Sequence, residues 1–374
     1  MTHTKEILVI AGEASGDVLG AELIYLLQKN DPSLKIEAMG GAKIQATGAE
    51  ILVDSRHLSV IGLWEVITHF FIIRRAYNTL KQYLKEHKPA LLITIDYPGF
   101  NLRMAKIAHE QNIKVLHYVS PQIWASRYHR IHSIKKYIHH IVVFFKFEQA
   151  IYEREGVPVS LVAHPLLKLS QIDVDCSAIA QKLNLNLEAP IIALLPGSRP
   201  GEIKKLMPII LAAKNLIKAQ IPSAQFVLPL ASSLKPSNLE IYLDDSIILT
   251  ELPAYEILKL STAAIVTSGT ATLEAALMKT PLVVIYKVFG YQIAKKWIIK
   301  TPYIGLCNIA AGECVAKEFI QHDAKPELIA AEIVKLIEDA VYRKETLLKL
   351  ERVRNQLGHK DAAVCLVELI KQTL

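Results

Sequence analysis

"ILVIAGEASGDVLGAELIYLL", residues Ile7–Leu27, is the stretch that decides the fold. An apolar run ends in a glycine turn, and apolar residues then recur at helical spacing. This order predicts a strand, a tight turn and a helix. Such a turn usually offers backbone N–H groups to a phosphate, yet this one carries two carboxylates, Glu13 and Asp17. The negative charge raises the question of which ligand the turn binds.

Strands and helices alternate along the rest of the chain. The predicted strands of the first half are Glu6–Ala11, Leu91–Ile95, Lys114–Val119 and His140–Phe145, with helices at Gly62–His87 and Leu102–Gln111. After a polar segment at Lys168–Pro190, further strands are predicted in "IIALLP", "QFVLPL", "AAIVTS" and "PLVVIYK". We therefore predict an α/β fold with two Rossmann-like, doubly wound lobes facing a cleft and a helical C-terminus. The predicted domain bounds are 1–168, 186–345 and 346–374.

Length, composition and charge limit the classes of protein to which the chain can belong. The chain has 374 residues, of which 51% are hydrophobic, enough for about two domains. No apolar run approaches the roughly 18 residues of a spanning helix, and no secretory signal is predicted. The four cysteines lack C-x-x-C spacing, which is typical of reduced thiols in a cytoplasmic protein. The net charge of +7 favours an anionic partner, but no standard nucleic-acid motif is present.

Candidate catalytic carboxylates lie in the first half. Asp96 stands at the carboxyl end of a predicted strand in "LLITIDYPGFNLRMAK" and is the candidate general base, the alternative being a simple turn carboxylate. Glu13 accepts hydrogen bonds from hydroxyls and repels phosphate, so a sugar is the favoured ligand. For Asp17 the alternative is a position near a helix N-cap. The further acceptor-side candidates are Gly12, Ser15, Gly16, Asp17, Asn101 and Ser120, of which Asn101 can also cap the following helix.

The phosphate-binding features lie in the second half. In "LLPGSRPGEI" the loop residues Gly197, Ser198 and Arg199 combine backbone N–H groups with a guanidinium, which suits a pyrophosphate. In "AAIVTSGTATLEAALM" a helix start offers Ser268, Gly269 and Thr270, and Glu274 can hold a ribose diol. The alternatives are a plain turn with a surface arginine and a well-capped helix.

One helix has apolar residues on two faces. In "GLWEVITHFFIIRRAYNTLKQYL" the core stripe is predicted to contain Leu63, Val66, Ile67, Phe70, Ile73, Tyr77, Leu80 and Leu84. Outside that stripe lie Trp64, Phe71 and Ile72, followed by Arg74 and Arg75. Apolar residues beside cations predict contact with an anionic bilayer surface. The alternatives are a helix buried on both sides or a dimer contact.

No metal site and no cofactor are predicted. The histidines of "HYVSPQIWASRYHRIHSIKKYIHH" lie among basic residues, which repel a cation. The D-x-D pattern of Asp173–Asp175 lies in the polar segment, and three-residue acidic patterns are frequent by chance.

The chain resembles the bacterial lipid-A-disaccharide synthase family. The motifs "AGEASGDVLGAELI", "IDYPGFN", "HYVSPQIWA", "LLPGSR" and "TSGTATLEAAL" occur in the family's order over nearly the whole length. The resemblance implies an inverting GT-B glycosyltransferase that joins UDP-2,3-diacylglucosamine to 2,3-diacylglucosamine 1-phosphate (lipid X). The products would be the β-1,6 disaccharide and UDP. The expected place is the cytoplasmic face of the inner membrane, as a peripheral protein.

The same resemblance implies roles for single residues. Asp96 would be the base, Arg199 a contact to the leaving phosphate, Glu274 a nucleotide-site residue, and Asn308 of "LCNIAAGE" a donor-site residue. Residues 1–168 would form the acceptor- and membrane-facing lobe and 186–345 the UDP-sugar lobe. The C-terminal helices would pack on the first lobe or on the partner in a homodimer. The alternatives are another UDP-sugar enzyme of this scaffold, such as an epimerase, or a non-catalytic membrane-associated binding protein.

Overall fold

The computed structural model of the protein describes residues 5–58, 65–287 and 302–374. The chain divides into two compact units. One comprises Met1–His164 and Gly358–Leu374, and the other comprises Pro165–Leu357.

The first unit is built on a seven-stranded parallel sheet. Its strands are β1 (Glu6–Ala11), β2 (Lys35–Gly40), β3 (Glu50–Asp54), β4 (Leu91–Ile95), β5 (Lys114–Tyr118), β6 (His140–Val143) and β7 (Val159–Leu161), in the spatial order β3-β2-β1-β4-β5-β6-β7. Its helices are α1 (Ala14–Asn30), α2 (Ala42–Gln45), α3 (Glu65–Glu86), α4 (Pro98–Glu110), α5 (Ile131–Tyr137) and α6 (Lys146–Arg154). The central strands β1 and β4 are almost wholly buried, which explains their continuous apolar sequence.

The second unit repeats this plan with six parallel strands. They are β8 (Ile191–Leu195), β9 (Gln225–Pro229), β10 (Ile247–Thr250), β11 (Ala263–Thr267), β12 (Leu282–Tyr286) and β13 (Glu318–Ile320), in the spatial order β10-β9-β8-β11-β12-β13. The helices are α7 (Cys176–Lys182), α8 (Pro200–Gln220), α9 (Ala254–Leu260), α10 (Thr270–Leu277), α11 (Leu306–Ala311), α12 (Pro326–Glu338) and α13 (Ala340–Asn355). Asp175 of the D-x-D pattern caps α7 by accepting the Ala178 N–H at 2.9 Å.

The last helix of the chain, α14 (Ala362–Thr373), packs in the first unit against α1. Asp361 caps it by accepting the N–H groups of Ala363 and Val364. Two lysines form hydrogen bonds between its C-terminal end and the rest of the unit. Lys371 donates to the Asn30 side chain at 3.2 Å, and Lys114 donates to the Thr373 carbonyl at 2.7 Å. The chain therefore returns to the first unit after completing the second.

The predicted α/β fold with two doubly wound sheets is confirmed. Every predicted strand is present within two residues at its ends, whereas five strands, β2, β3, β7, β10 and β13, were not predicted. Within α3, Phe70 was predicted to be core, which is wrong because its side chain is 59% exposed. Among the helices that the structure describes, none is both long and apolar enough to span a bilayer.

Candidate active site

Glu13 and Asp96 lie at the topological switch point of the first sheet. Strands β1 and β4 are neighbours, and the chain leaves them towards opposite sides of the sheet. Their last residues, Ala11 and Ile95, are register partners. Glu13 follows the end of β1 and Asp96 follows the end of β4, so both carboxylates belong to the carboxyl edge of the sheet. Ligands of open α/β sheets bind at this position.

The turn that carries Asp96 has an unusual backbone. Asp96 and Tyr97 are consecutive non-glycine residues in the left-handed region, with φ of 47° and 45°. Asn101 holds this turn: its buried side-chain amide donates to the carbonyls of Ile95 at 3.1 Å and Asp96 at 2.6 Å. The predicted capping role of Asn101 is wrong, because α4 begins at Pro98 and Asn101 lies inside it. Asn101 instead fixes the main chain beneath Asp96.

Burial shapes the electrostatics of the two carboxylates. The pKa of Asp96 is raised, mainly because burial disfavours its charged form. The pKa of Glu13 is raised by burial and then by the negative charge of Asp96. A carboxylate with a raised pKa binds a proton more readily, which suits a general base.

The other acceptor-side candidates differ in accessibility. Asp17 is buried and accepts the N–H groups of Gly41, Lys43 and Ile44 at 2.7, 2.9 and 3.1 Å. It therefore caps α2. Asp17 also lies in the first turn of its own helix, close to the N-cap residue Glu13, as the alternative interpretation predicted. Ser120 is also buried, with its hydroxyl 2.9 Å from the Tyr152 hydroxyl. Gly16 is buried, whereas Ser15 is exposed beside Glu13.

Gly12 lies directly beneath an aromatic ring. A Cβ added to it would lie 2.8 Å from Cγ and 2.9 Å from Cε1 of Tyr97, closer than carbon atoms pack. The Tyr97 ring therefore covers the α-carbon that precedes Glu13. Sequence reasoning missed Tyr97, because nothing in its local pattern indicates a contact with a residue 85 positions away.

The second unit has a cavity of about 800 Å³ at its own switch point, between the ends of β8 and β11. Seven of the predicted donor residues line it: Gly197, Ser198, Arg199, Ser268, Gly269, Thr270 and Glu274. The structure thus brings together two motifs that lie about seventy positions apart in the sequence, as both follow adjacent strands. Burial raises the pKa of Glu274.

Arg199 presents its guanidinium to solvent at this cavity. Its side chain is 78% exposed and forms an ion pair with Glu202 at 3.3 Å. Glu202, which sequence reasoning also missed, accepts the Ser198 N–H at 3.2 Å and so holds the loop. Gly197 has φ of 113°, and a side chain there would meet the Glu202 carboxylate. The loop conformation therefore requires glycine at this position.

The second loop of the cavity leads into α10. Gly269 has φ of 150° and precedes the helix without a side-chain cap. The Ser268 hydroxyl donates to the Ile304 carbonyl at 2.7 Å, which anchors the loop. A helix start without a side-chain cap presents backbone N–H groups to an anion.

Asn308 does not line the cavity. Its buried side chain donates to the Ala316 carbonyl at 2.7 Å and to Glu318 at 2.8 Å, and accepts the N–H groups of Val315 and Ala316. All four of its hydrogen-bonding positions are therefore used between α11 and the segment that leads into β13.

The exposed apolar side chains of α3 form one patch with two arginines. Phe70 is 59%, Phe71 62% and Ile72 39% exposed, and Arg74 and Arg75 are exposed beside them. We call Phe70, Phe71, Ile72, Arg74 and Arg75 the α3 patch. Trp64 lies outside the described residues, as does "AKKWIIK" at 294–300, whose sequence has a similar basic and aromatic character. Within residues 5–58, 65–287 and 302–374, no group of three potential ligands could hold a metal ion.

Comparison with known proteins gives a family and a fold. A family model described as lipid-A-disaccharide synthetase matches residues 7–368. The lipid-A-disaccharide synthase of Coxiella burnetii strain CbuK_Q154 is 45% identical over 361 residues, covering 96% of each chain. Among solved structures, the UDP-GlcNAc 2-epimerase of Neisseria meningitidis has a TM-score of 0.65 at 16% identity, covering 98% of this chain and all of that one. The glycotransferase of kitacinnamycin has a TM-score of 0.64 at 14% identity, with full coverage of both chains. At these identities the solved structures show the fold alone, which is GT-B.

Proposed function

The chain belongs to the lipid-A-disaccharide synthetase family, and on this premise we propose how its residues carry out the reaction. The activity is that of a glycosyltransferase that joins UDP-2,3-diacylglucosamine to lipid X and releases UDP. One observation carries the residue assignment. The switch point of the first sheet bears two carboxylates, whereas that of the second bears a guanidinium and a helix start without a side-chain cap.

The proposed donor site is the cavity of the second unit. Its volume of about 800 Å³ lies in the range of small-molecule sites. Arg199 and the N–H groups at the start of α10 would bind the diphosphate of UDP, and Glu274 would accept hydrogen bonds from the ribose diol. We accordingly assign donor binding to residues 186–345, and acceptor binding and membrane contact to 1–168.

The proposed reaction is an inverting displacement with Asp96 as base. Asp96 takes the proton of the acceptor's 6-hydroxyl while that oxygen forms a bond to C1 of the donor sugar. The bond from C1 to the phosphate oxygen breaks on the opposite face, and its electron pair leaves with UDP. Arg199 and the helix dipole of α10 stabilise the charge that grows on the diphosphate.

A product assay tests this proposal directly. Purified protein is incubated with UDP-2,3-diacylglucosamine and labelled lipid X, and the lipids are separated by thin-layer chromatography. We expect a labelled disaccharide and stoichiometric UDP. An isomerised UDP-sugar formed without lipid X would contradict the proposal, as would binding without turnover.

Glu13 is predicted to act on the acceptor side. For Glu13→Gln we expect kcat/KM for lipid X to fall about tenfold or more, because the variant loses a charged acceptor for sugar hydroxyls. UDP affinity should stay within about twofold. Glu110→Gln, which changes an exposed glutamate of the same unit, is the matched control. A loss of UDP affinity with normal use of lipid X would place Glu13 with the donor instead.

We propose that the α3 patch binds the anionic surface of the inner membrane, on its cytoplasmic face. Diacylated sugars partition into bilayers, so the enzyme must reach them at the interface. Exposed aromatic and aliphatic side chains beside arginines suit the boundary between headgroups and acyl chains. Trp64, which precedes α3, remains part of this proposal.

A homodimer is also proposed, and the mass of the protein in solution tests it.

Polar substitutions in the α3 patch should weaken membrane binding. For Phe71→Ser with Ile72→Ser we expect affinity for vesicles containing anionic phospholipid to fall about tenfold or more, because burying such a side chain contributes roughly 1.5–3 kcal/mol. Vesicle sedimentation measures this, and thermal unfolding should change little. Val341→Ser with Leu348→Ser, on exposed apolar positions of α13, is the control. Equal vesicle binding by both double variants would exclude the α3 patch.

A further inference from the structure

Tyr97 connects the two turns that carry the proposed catalytic carboxylates. It follows Asp96 directly in the chain, and its ring covers the α-carbon of Gly12, which directly precedes Glu13. Tyr97 occupies the N-cap position of α4, but its side chain makes no capping hydrogen bond. Its ring therefore packs against Gly12 without capping the helix.

We propose that Tyr97 is a positioning residue of the transfer reaction, whose ring fixes the spacing between the carboxylates of Glu13 and Asp96. This inference rests on the proposed function, in which Asp96 is the base and Glu13 contacts the acceptor. Tyr97 touches neither the reacting bond nor UDP in this scheme. It acts through the two residues that it holds apart.

The Tyr97 ring also packs against the core of the first unit. Tyr97 stacks on Phe100 with centroids 5.7 Å apart and an angle of 27° between the rings. Phe100 is buried and meets Tyr77 of α3 edge-to-face at 6.2 Å. The Tyr97 ring is thus packed between Gly12 and Phe100, which restricts its movement towards or away from β1.

The backbone makes Asp96 sensitive to this packing. Left-handed conformations are unfavourable for residues other than glycine, so two in succession persist only where surrounding contacts hold them. Asn101 binds the carbonyls of the turn, and the Tyr97 ring packs the turn against Gly12. Loss of the ring would let the Asp96 turn relax, and catalytic groups displaced by about 1 Å can lose roughly 10²-fold in rate.

Glycine at position 12 is explained by the same contact. The φ of Gly12 is not in the left-handed region, so backbone freedom does not require glycine there. Glycine is required at position 12 by the lack of space, because a methyl group there would collide with the Tyr97 ring. Residues 12 and 97 should therefore act as one unit in a double-mutant cycle.

The test is a cycle of Gly12→Ala and Tyr97→Ala, with Tyr97→Phe as the conservative variant. We expect each alanine variant to lower kcat about 10- to 100-fold, with KM for both substrates within about threefold. Tyr97→Phe should recover most of the loss, because it keeps the ring. The double variant should be no worse than Tyr97→Ala alone, because the collision disappears with the ring. UDP binding and thermal unfolding report whether each variant is folded.

Two results would overturn the inference. One is a normal kcat for Tyr97→Ala, and the other is a Gly12→Ala effect that is equally large without the ring. If Tyr97→Ala does not fold, Tyr97→Leu takes its place in the cycle. Asp96→Asn, measured in parallel, separates this inference from the proposed function. If Asp96→Asn loses turnover and Tyr97→Ala keeps a normal kcat, only the positioning role of Tyr97 is refuted. If Asp96→Asn keeps its turnover, the assignment of Asp96 as base is refuted.

Discussion

Asp96→Asn is expected to lower kcat by about 10²–10⁴-fold while UDP affinity stays within about twofold. Asparagine keeps the size of the side chain but cannot accept the proton of the acceptor's hydroxyl. The turn should survive, because Asn101 binds main-chain carbonyls and not the Asp96 carboxylate. UDP affinity should survive because, within the part of the chain that the structure describes, the residues lining the proposed donor cavity all belong to the second unit.

The pH dependence of the reaction gives a second signature of Asp96. The base works only when it is deprotonated, so kcat/KM falls as the pH falls through its pKa. Burial raises the pKa of Asp96, and the acid limb should therefore lie at a higher pH than for an ordinary aspartate. In Asp96→Asn the remaining activity should lack this limb. Asp173→Asn, at an exposed position outside the site, is the control. Turnover of Asp96→Asn near the unsubstituted rate would remove Asp96 as base.

The fold was predictable because its central strands are apolar along nearly their whole length. Strands β1, β4, β8 and β11 are buried on both faces, so each is a continuous run that periodicity identifies. Four of the missed strands, β3, β7, β10 and β13, are the edge strands of the two sheets, and the fifth, β2, has its apolar run interrupted by Glu37. A short, half-buried segment has the same local pattern as a loop, and only pairing with a neighbour makes it a strand.

Candidate site residues that directly follow a strand could be predicted from the sequence, whereas contacts with distant parts of the chain could not. Asp96 and Arg199 could be found because each follows an apolar run, where the topology of α/β sheets places ligands. The role of Asp17 could not be found, because its partners are the N–H groups of a helix more than twenty positions away. The prediction that Phe70 belongs to the core was also wrong, because periodicity predicts which face of a helix is apolar but not where along the helix the core ends.

Arg199→Ala is expected to lower kcat by about 10²–10³-fold, the range found when a donor to a developing negative charge is removed. Charge on the diphosphate is greater in the transition state than in the bound donor, so the guanidinium stabilises the former more. UDP affinity should also fall, by a smaller factor. Arg199→Lys keeps the charge but loses the planar fork, and an intermediate loss is expected.

The structure also predicts that removing Arg199 leaves the fold intact. Its side chain is 78% exposed and its ion pair with Glu202 lies at the surface, where such pairs contribute about 0–1 kcal/mol to stability. Glu202 remains held through the Ser198 N–H, so the loop should keep its shape. Arg352→Ala removes a comparable exposed ion pair, to Glu313 at 3.2 Å, and should leave kcat unchanged. An Arg199→Ala variant that raised KM for the donor without lowering kcat would mean that Arg199 binds donor and transition state equally, and that the leaving charge is stabilised by α10 instead.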